Sequence, residues 1–330
     1  MASKLLSSGH YMPLLGLGTW QAAPGDAEKA VLAALEAGYR HIDTATVYKN
    51  EKEVGNAIQS WLKCGAGRRE ELFVTTKLPH IGNRPNDVKI YCTKSLQSLQ
   101  LEYLDLYLVH MPFTFKPDDT GEAPAKHNDG TFVLEETDHK EIWNEMESLV
   151  KSGLVRSIGV SNFNSKQLER LLSFAEIQPA VLQVELHVAL QQPELQQLCR
   201  NSCVTLTAYS PLGSPGSKDH FKNKYGRNDF DFPDILNDPR VIEIAERLKR
   251  TPAQVLLKFL VQQEIAVIPK SVNPQRIIEN SQIFDFELPQ EDIERLQSLD
   301  RGPKGRIVNF LFFKGVECHA EYPFVSELQQ

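Results

Sequence analysis

The feature that most constrains this chain is a rhythm. Short β-rich runs alternate with amphipathic helical stretches through most of its length, with no linker or break in composition between them. Such alternation requires parallel strands joined by crossover helices. Strands are expected near residues 15–17, 40–42, 73–76, 104–109, 156–160, 181–185, 204–207 and 266–268. Helices are expected over 26–37, 51–62, 86–99, 138–151, 165–172, 193–201, 239–249 and 252–262. In the first of these, Ala30, Leu32, Ala33 and Leu35 fall at helical spacing, and Gly38 follows as a residue that tolerates a left-handed cap. Eight βα units close most naturally into a (β/α)8 TIM barrel, an α/β fold whose active site lies at the carboxyl ends of its strands.

The remaining segments decorate that barrel. Residues 4–6 and 11–14 flank Ser7-Ser8-Gly9-His10, a connector that suggests an N-terminal β-hairpin capping the barrel floor. Two long polar loops, 116–130 and 213–238, fit no βα unit and are expected at the C-terminal face as lids or binding loops. The tail over 301–330 carries Phe310, Phe312, Phe313 and Tyr322-Pro323-Phe324, too aromatic for a disordered end. It is expected to fold over the active site as part of one domain spanning 1–330.

Composition removes several function classes. A formal charge of -7 and a pI near 5.8 provide no basic field for nucleic acid or an anionic membrane. Apolar runs are strand-sized, far below the ~20 residues of a membrane span. The first ten residues lack both a secretory h-region and the arginine richness of a transit peptide, so a cytoplasmic location is expected. The five cysteines, Cys64, Cys92, Cys199, Cys203 and Cys318, are an odd set without a C-x-x-C pair and read as free thiols. No metal site is expected.

The chemistry gathers at three neighbouring strand ends. The second strand runs into His41-Ile42-Asp43-Thr44-Ala45-Thr46-Val47-Tyr48, the third ends in Thr75-Thr76-Lys77, and the fourth in Leu108-Val109-His110. Hydride transfer to a C=O generates an alkoxide that needs a proton and electrostatic stabilisation as it forms. Tyr48 can supply that proton if a neighbouring ammonium, Lys77, lowers its pKa from the ordinary value of about 10. Asp43 would hold Lys77 charged, and His110 would orient the substrate oxygen. Taken singly, each of these residues is more often structural; their joint arrangement at barrel strand ends favours function. His41 and His187 lack such company and read as core or wall histidines.

In order and spacing the constellation resembles the aldo-keto reductase family, in particular its aldehyde and aldose reductase-like branch. The resemblance runs through Leu15-Gly16-Leu17-Gly18-Thr19-Trp20, Arg40-His41-Ile42-Asp43-Thr44-Ala45 with Tyr48, and Thr76-Lys77-Leu78. It continues through Asp105-Leu106-Tyr107-Leu108-Val109-His110, Ile158-Gly159-Val160-Ser161-Asn162-Phe163 and Ile268-Pro269-Lys270-Ser271-Val272. It implies that Asp43, Tyr48, Lys77 and His110 form the catalytic tetrad, with Tyr48 the general acid.

Gly16-Leu17-Gly18-Thr19-Trp20-Gln21 is not a dinucleotide fingerprint, because Gln21 replaces its third glycine and no Rossmann order surrounds it. The anion site lies late in the chain instead. Lys270-Ser271-Val272-Asn273-Pro274-Gln275-Arg276 opens a helix after strand eight and brings together backbone N–H groups, a hydroxyl and two cations. By resemblance this motif takes the 2′-phosphate of NADPH/NADP+, with Glu279 and Asn280 at the adenine. The same resemblance places Tyr209 on the nicotinamide, and Ser210, Leu212 and Ser214 along the pyrophosphate. Ser161, Asn162 and Gln183 would pair with the carboxamide, and Thr19, Trp20 and Asp43 would complete the cofactor contacts.

Trp20, Val47, Met111, Phe113 and Phe115 follow strand ends and are expected to wall an apolar cavity above Tyr48 and His110. That favours a lipophilic or aromatic carbonyl: an aldehyde, an isoprenoid aldehyde or a ketosteroid. Pro79 stands where aldose reductase-like members often carry tryptophan, and Met111 replaces the usual aromatic, which argues against a sugar aldehyde and for a broader pocket. His110, where double-bond reductases of the family carry Glu, points to C=O reduction. A monomer acting on a small-molecule carbonyl is the expected form. The competing readings are an NADPH-binding redox-sensing or structural barrel with little turnover, and an NAD-preferring alcohol dehydrogenase. The intact tetrad argues against the first, and Lys270 with Arg276 against the second.

Overall fold

The computed structural model describes residues 2–225 and 232–328. The chain opens with an antiparallel hairpin, β1 (Ser3–Leu5) and β2 (Tyr11–Pro13), in which Ser3 faces Pro13. The alternating units follow: β3 (Gly16–Gly18), α1 (Pro24–Glu36), β4 (His41–Asp43), α2 (Glu51–Lys63), β5 (Phe73–Leu78), α3 (Pro85–Leu99) and β6 (Leu104–Val109). A small ribbon, β7 (Thr114–Phe115) with β8 (Leu134–Glu135), precedes α4 (His139–Lys151) and β9 (Val155–Ser161). Then come α5 (Ser165–Phe174), β10 (Val181–Glu185), α6 (Pro193–Asn201) and β11 (Thr205–Tyr209). The last part holds α7 (Lys218–Tyr225), α8 (Pro239–Leu248), α9 (Pro252–Val261), β12 (Ala266–Val267), α10 (Pro274–Ser281) and α11 (Gln290–Gln297).

Eight strands form one parallel sheet in the order β3-β4-β5-β6-β9-β10-β11-β12. Parallel bridges from Leu15 to Val267 and from Gly18 to Lys270 join its two edges, so the sheet closes into the (β/α)8 barrel. Every residue of β5 and β6 is buried, as expected of strands packed on a filled interior and covered outside by helices. The seam demands glycine: a Cβ on Gly18 would stand 2.7 Å from the backbone oxygen of Ile268.

Local chemistry sets the helix starts. Asn164 with Gln167, and Thr251 with Gln254, form reciprocal capping boxes on α5 and α9, and Asp138 accepts from the N–H groups of Lys140 and Glu141 on α4. Asn273 does the same for α10 through the Arg276 N–H.

The expected long loops carry more structure than their polarity suggested. The β7–β8 ribbon brackets the first, and α7 occupies part of the second, of which residues 226–231 lie outside the described residues. The tail follows α11 as short 3-10 turns, and the buried carboxylate of Glu185 ties it to the barrel by accepting from Ile307 N (2.8 Å) and Val308 N (2.7 Å). Residues 329 and 330 lie outside the described residues as well. No helix among those described is long and apolar enough to cross a membrane.

Candidate active site

A cleft of about 1620 Å³ opens at the carboxyl ends of the strands. On its floor, β4, β5 and the 3-10 turn Thr46–Tyr48 bring three side chains into one network. Lys77 is fully buried, and its Nζ donates to Asp43 Oδ1 at 2.6 Å, to the Thr44 carbonyl at 2.9 Å and to Tyr48 Oη at 3.4 Å. The second Asp43 oxygen accepts from Gln183 Nε2 at 2.8 Å. His110 stands at the end of β6 with its ring centroid 5.8 Å from that of Tyr48, edge to face.

The electrostatics differ from expectation in one respect. Burial, then the charge of Asp43 and the neighbouring Tyr209, pushes the Tyr48 phenol well above its ordinary pKa; acidification by Lys77 does not prevail. Burial also lowers the Lys77 ammonium, against the opposing pull of Asp43 and, more weakly, Glu51. His110 is held well below the usual histidine range by burial and by the nearby Lys77, which keeps the imidazole neutral with one N–H to donate.

Asn162 is committed within the protein: Nδ2 donates to the His110 carbonyl at 2.8 Å and to Ser161 Oγ at 3.1 Å, and Oδ1 accepts from Tyr209 Oη at 2.8 Å. It adopts a φ of +65°, in the left-handed region that asparagine tolerates. Asn162 and Gln183 therefore brace His110, Tyr209 and Asp43, a role the sequence reading had not given them. Ser161 Oγ in turn donates to the Gln183 carbonyl at 2.8 Å.

Along the cleft, Tyr209, Ser210, Leu212 and Ser214 line one side, and Ser214 Oγ donates to Ser210 Oγ at 2.7 Å. Further on lie Lys270, Ser271, Val272, Asn273, Arg276, Glu279 and Asn280. Lys270 and Arg276 are exposed and form no ion pair among the described residues. Two cations without an ion-pair partner among the described residues, beside the start of α10, suit a phosphate monoester. Partial desolvation against the cleft wall lowers the Lys270 ammonium, with the charge of Asp26 opposing. Thr19 does not reach the cleft: it is buried, with Oγ1 donating to the Asp43 carbonyl at 3.0 Å.

On the opposite side, Trp20, Val47, Tyr48, His110 and Met111 line the cleft as expected. Phe113 and Phe115 are a correction. Both are wholly buried behind the wall, Phe113, just before β7, against Phe310 at 5.6 Å, and Phe115, in β7, against Phe132 at 5.1 Å. The wall itself is supplied by Phe132, Phe221, Tyr225, Phe310, Phe312 and Phe313, mostly from α7 and the tail.

Besides Phe132, Phe221 and Tyr225, the cleft residues that the sequence did not single out include His80 and Glu51. His80 lies three positions past Lys77, a strand-end placement that could have flagged it. Glu51 is the first residue of α2, where an acid is common for helical reasons alone. Its buried carboxylate accepts from Thr76 Oγ1 at 2.6 Å, and burial raises its pKa despite that bond and the charge of Lys77. His41 bonds Pro13 O and Thr75 Oγ1, and His187 bonds Glu185, as core histidines do.

A parallel eight-stranded barrel with a Tyr–Lys–Asp network and a histidine at its mouth defines a class of barrel oxidoreductase. The comparisons agree. The Aldo/keto reductase family profile matches residues 14–301. Aldo-keto reductase family 1 member A1-A of Danio rerio is 45% identical over 98% of this chain and 99% of its own length. The human Aldo-keto reductase family 1 member A1 is 44% identical over 97% of each chain. The aldose reductase structure from Schistosoma japonicum superposes with a TM-score of 0.88 at 40% identity, covering 99% of this chain and all of that one. The chain belongs to the aldo/keto reductase family, whose enzymes reduce carbonyls to alcohols.

Proposed function

We propose that this protein reduces aldehydes and ketones to alcohols with NADPH, Tyr48 acting as general acid, and that its substrates are lipophilic or aromatic carbonyls. The observation that carries the reading is the Tyr48–Lys77–Asp43 network opening, beside His110, onto one cleft. Lys270, Ser271 and Arg276 would hold the adenosine 2′-phosphate, with Asn273 fixing the turn, and Tyr209 would carry the nicotinamide. NADPH, when bound, supplies the hydride.

The residues of the chain do the rest. His110 donates its N–H to the substrate oxygen and sets the carbonyl between itself and Tyr48. As the C=O π bond breaks, its electron pair moves to oxygen and Tyr48 Oη–H transfers its proton there. A phenol with a raised pKa still protonates an alkoxide, which is the stronger base by far. The resulting phenolate sits beside the Lys77 ammonium, whose position Asp43 and Gln183 fix. The aromatic wall excludes water and strengthens each of these interactions.

Replacing Tyr48 by Phe removes the acid and leaves the fold and the cofactor contacts in place. NADPH oxidation with an aromatic aldehyde should fall by about 10²–10⁴-fold, while NADPH still quenches the protein fluorescence. Turnover equal to wild type would refute the assignment.

A further inference from the structure

The other buried imidazoles of this chain have work to do. His41 uses Nδ1 on the Pro13 carbonyl, His139 uses Nε2 on the Pro112 carbonyl, His319 uses Nε2 on the Glu135 carbonyl, and His187 uses Nε2 on Glu185. Among the described buried histidines, only the rings of His80 and of His110, which faces the proposed reaction, bond nothing within the protein. His80 sits in the 3-10 turn His80–Gly82, only 8% exposed, with its ring set edge to face against Phe115 at 5.1 Å and Phe313 at 5.5 Å. Neither ring nitrogen has a hydrogen-bond partner among the described residues: Nδ1 is sealed in the protein, and Nε2 keeps accessible surface where the residue lines the cleft. Burying an unpaired polar group costs stability, and such groups in native proteins call for an explanation.

Position supplies the explanation, because His80 lines the same cleft as Tyr48 and His110. We propose that His80 is a specificity residue of the substrate pocket, hydrogen-bonding a second, uncharged oxygen (a hydroxyl or a further carbonyl) on an aromatic or lipophilic carbonyl substrate. This rests on the reading of the site as a carbonyl reductase and adds the chemical class of substrate it prefers. The surroundings favour a neutral group: Phe115 and Phe313 flank the ring, and an unpaired carboxylate would be poorly solvated among them. Burial and the nearby Lys224 ammonium hold the imidazole pKa down to about 4, so His80 is neutral and can donate or accept by choice of tautomer. A hydroxyl, which also does both, matches it. The nearby charged or titratable groups are Lys224 and His110.

The test compares benzaldehyde with 2-, 3- and 4-hydroxybenzaldehyde and 4-carboxybenzaldehyde, in wild type, His80→Phe and His80→Asn. In His80→Phe, kcat/KM for at least one hydroxy isomer should fall by roughly tenfold relative to benzaldehyde, and His80→Asn, which keeps a donor and an acceptor, should recover most of it. NADPH binding measured by fluorescence quenching reports that each variant is folded. Equal losses on benzaldehyde and all hydroxy isomers, or none, would overturn the proposal. So would a loss confined to 4-carboxybenzaldehyde, which would make this an anion site. Affinities of the same aldehydes for the NADP⁺-loaded protein give the same comparison without turnover. If Tyr48→Phe proved fully active while His80→Phe lost the hydroxy preference in binding, the catalytic reading would fail and this one would stand.

Discussion

The Lys77 ammonium has three N–H bonds, and all three meet acceptors: Asp43, the Thr44 carbonyl and Tyr48. The longest of them reaches the one group that changes its charge in the proposed reaction. The weak contact leaves Tyr48 protonated in the resting site and provides a cation for the phenolate once the proton has gone. At the other end of the cleft, neither Arg276 nor Lys270 forms an ion pair among the described residues. Arg276→Ala should therefore raise the Kd for NADPH by at least about tenfold and leave that for NADH nearly unchanged, since a charge-assisted hydrogen bond is worth ~1.5–3 kcal/mol. Fluorescence titration with both cofactors checks this; equal weakening of both would remove the 2′-phosphate role. The residues of this network were legible in the sequence because Asp43 and Lys77 fall at predicted strand ends and Tyr48 on the loop that follows the first of them. The partners of Gln183 and Asn162 were not, since hydrogen bonds across the barrel depend on register and closure.

Among the elements, the strands and the helices between them follow from periodicity and punctuation. The expected spans 104–109 and 181–185 coincide with β6 and β10, whose short apolar runs have sharp boundaries. Phe113 and Phe115 were misplaced because nothing local announces the two-residue ribbon β7–β8, which begins just after Phe113 and includes Phe115. The helix α7 was hidden by its polar composition. The tail was recognised as folded from its aromatic content, but its anchor was not. Glu185 binds two tail N–H groups 122 and 123 residues away in sequence, a contact that only the closed fold creates. Glu185→Ala would leave the buried Ile307 N–H and the half-buried Val308 N–H without their acceptor, at a cost of ~1–3 kcal/mol for the first and less for the second. Amide hydrogen exchange at Ile307 and Val308 should accelerate by at least about tenfold in that variant, and unchanged protection would show that the tail is held by its aromatic packing alone.

For the whole molecule, burying imidazoles in a barrel makes stability depend on acid. His41 and His80 are both held at about 4 against an ordinary 6.5, chiefly by burial. Between those values the unfolded chain binds protons that the folded chain refuses, so stability falls as pH drops from 6.5 towards 4. Glu51 and Asp105, whose carboxyls burial raises, work in the opposite direction and offset part of that loss. Urea denaturation across this range should show a shallower acid decline for His80→Phe than for wild type; identical slopes would mean that His80 is not kept neutral by the fold. The same closed barrel gathers Asp43, Tyr48, Lys77 and His110 from three strand ends, and on that gathering the proposed reaction depends. Its most direct test is isotopic. Wild type, supplied with NADPH carrying deuterium at the transferable position and an aromatic aldehyde, should yield alcohol with one deuterium at the carbinol carbon, and Tyr48→Phe should yield almost none in the same time. Alcohol without deuterium, or deuterated alcohol formed equally fast by Tyr48→Phe, would contradict the account.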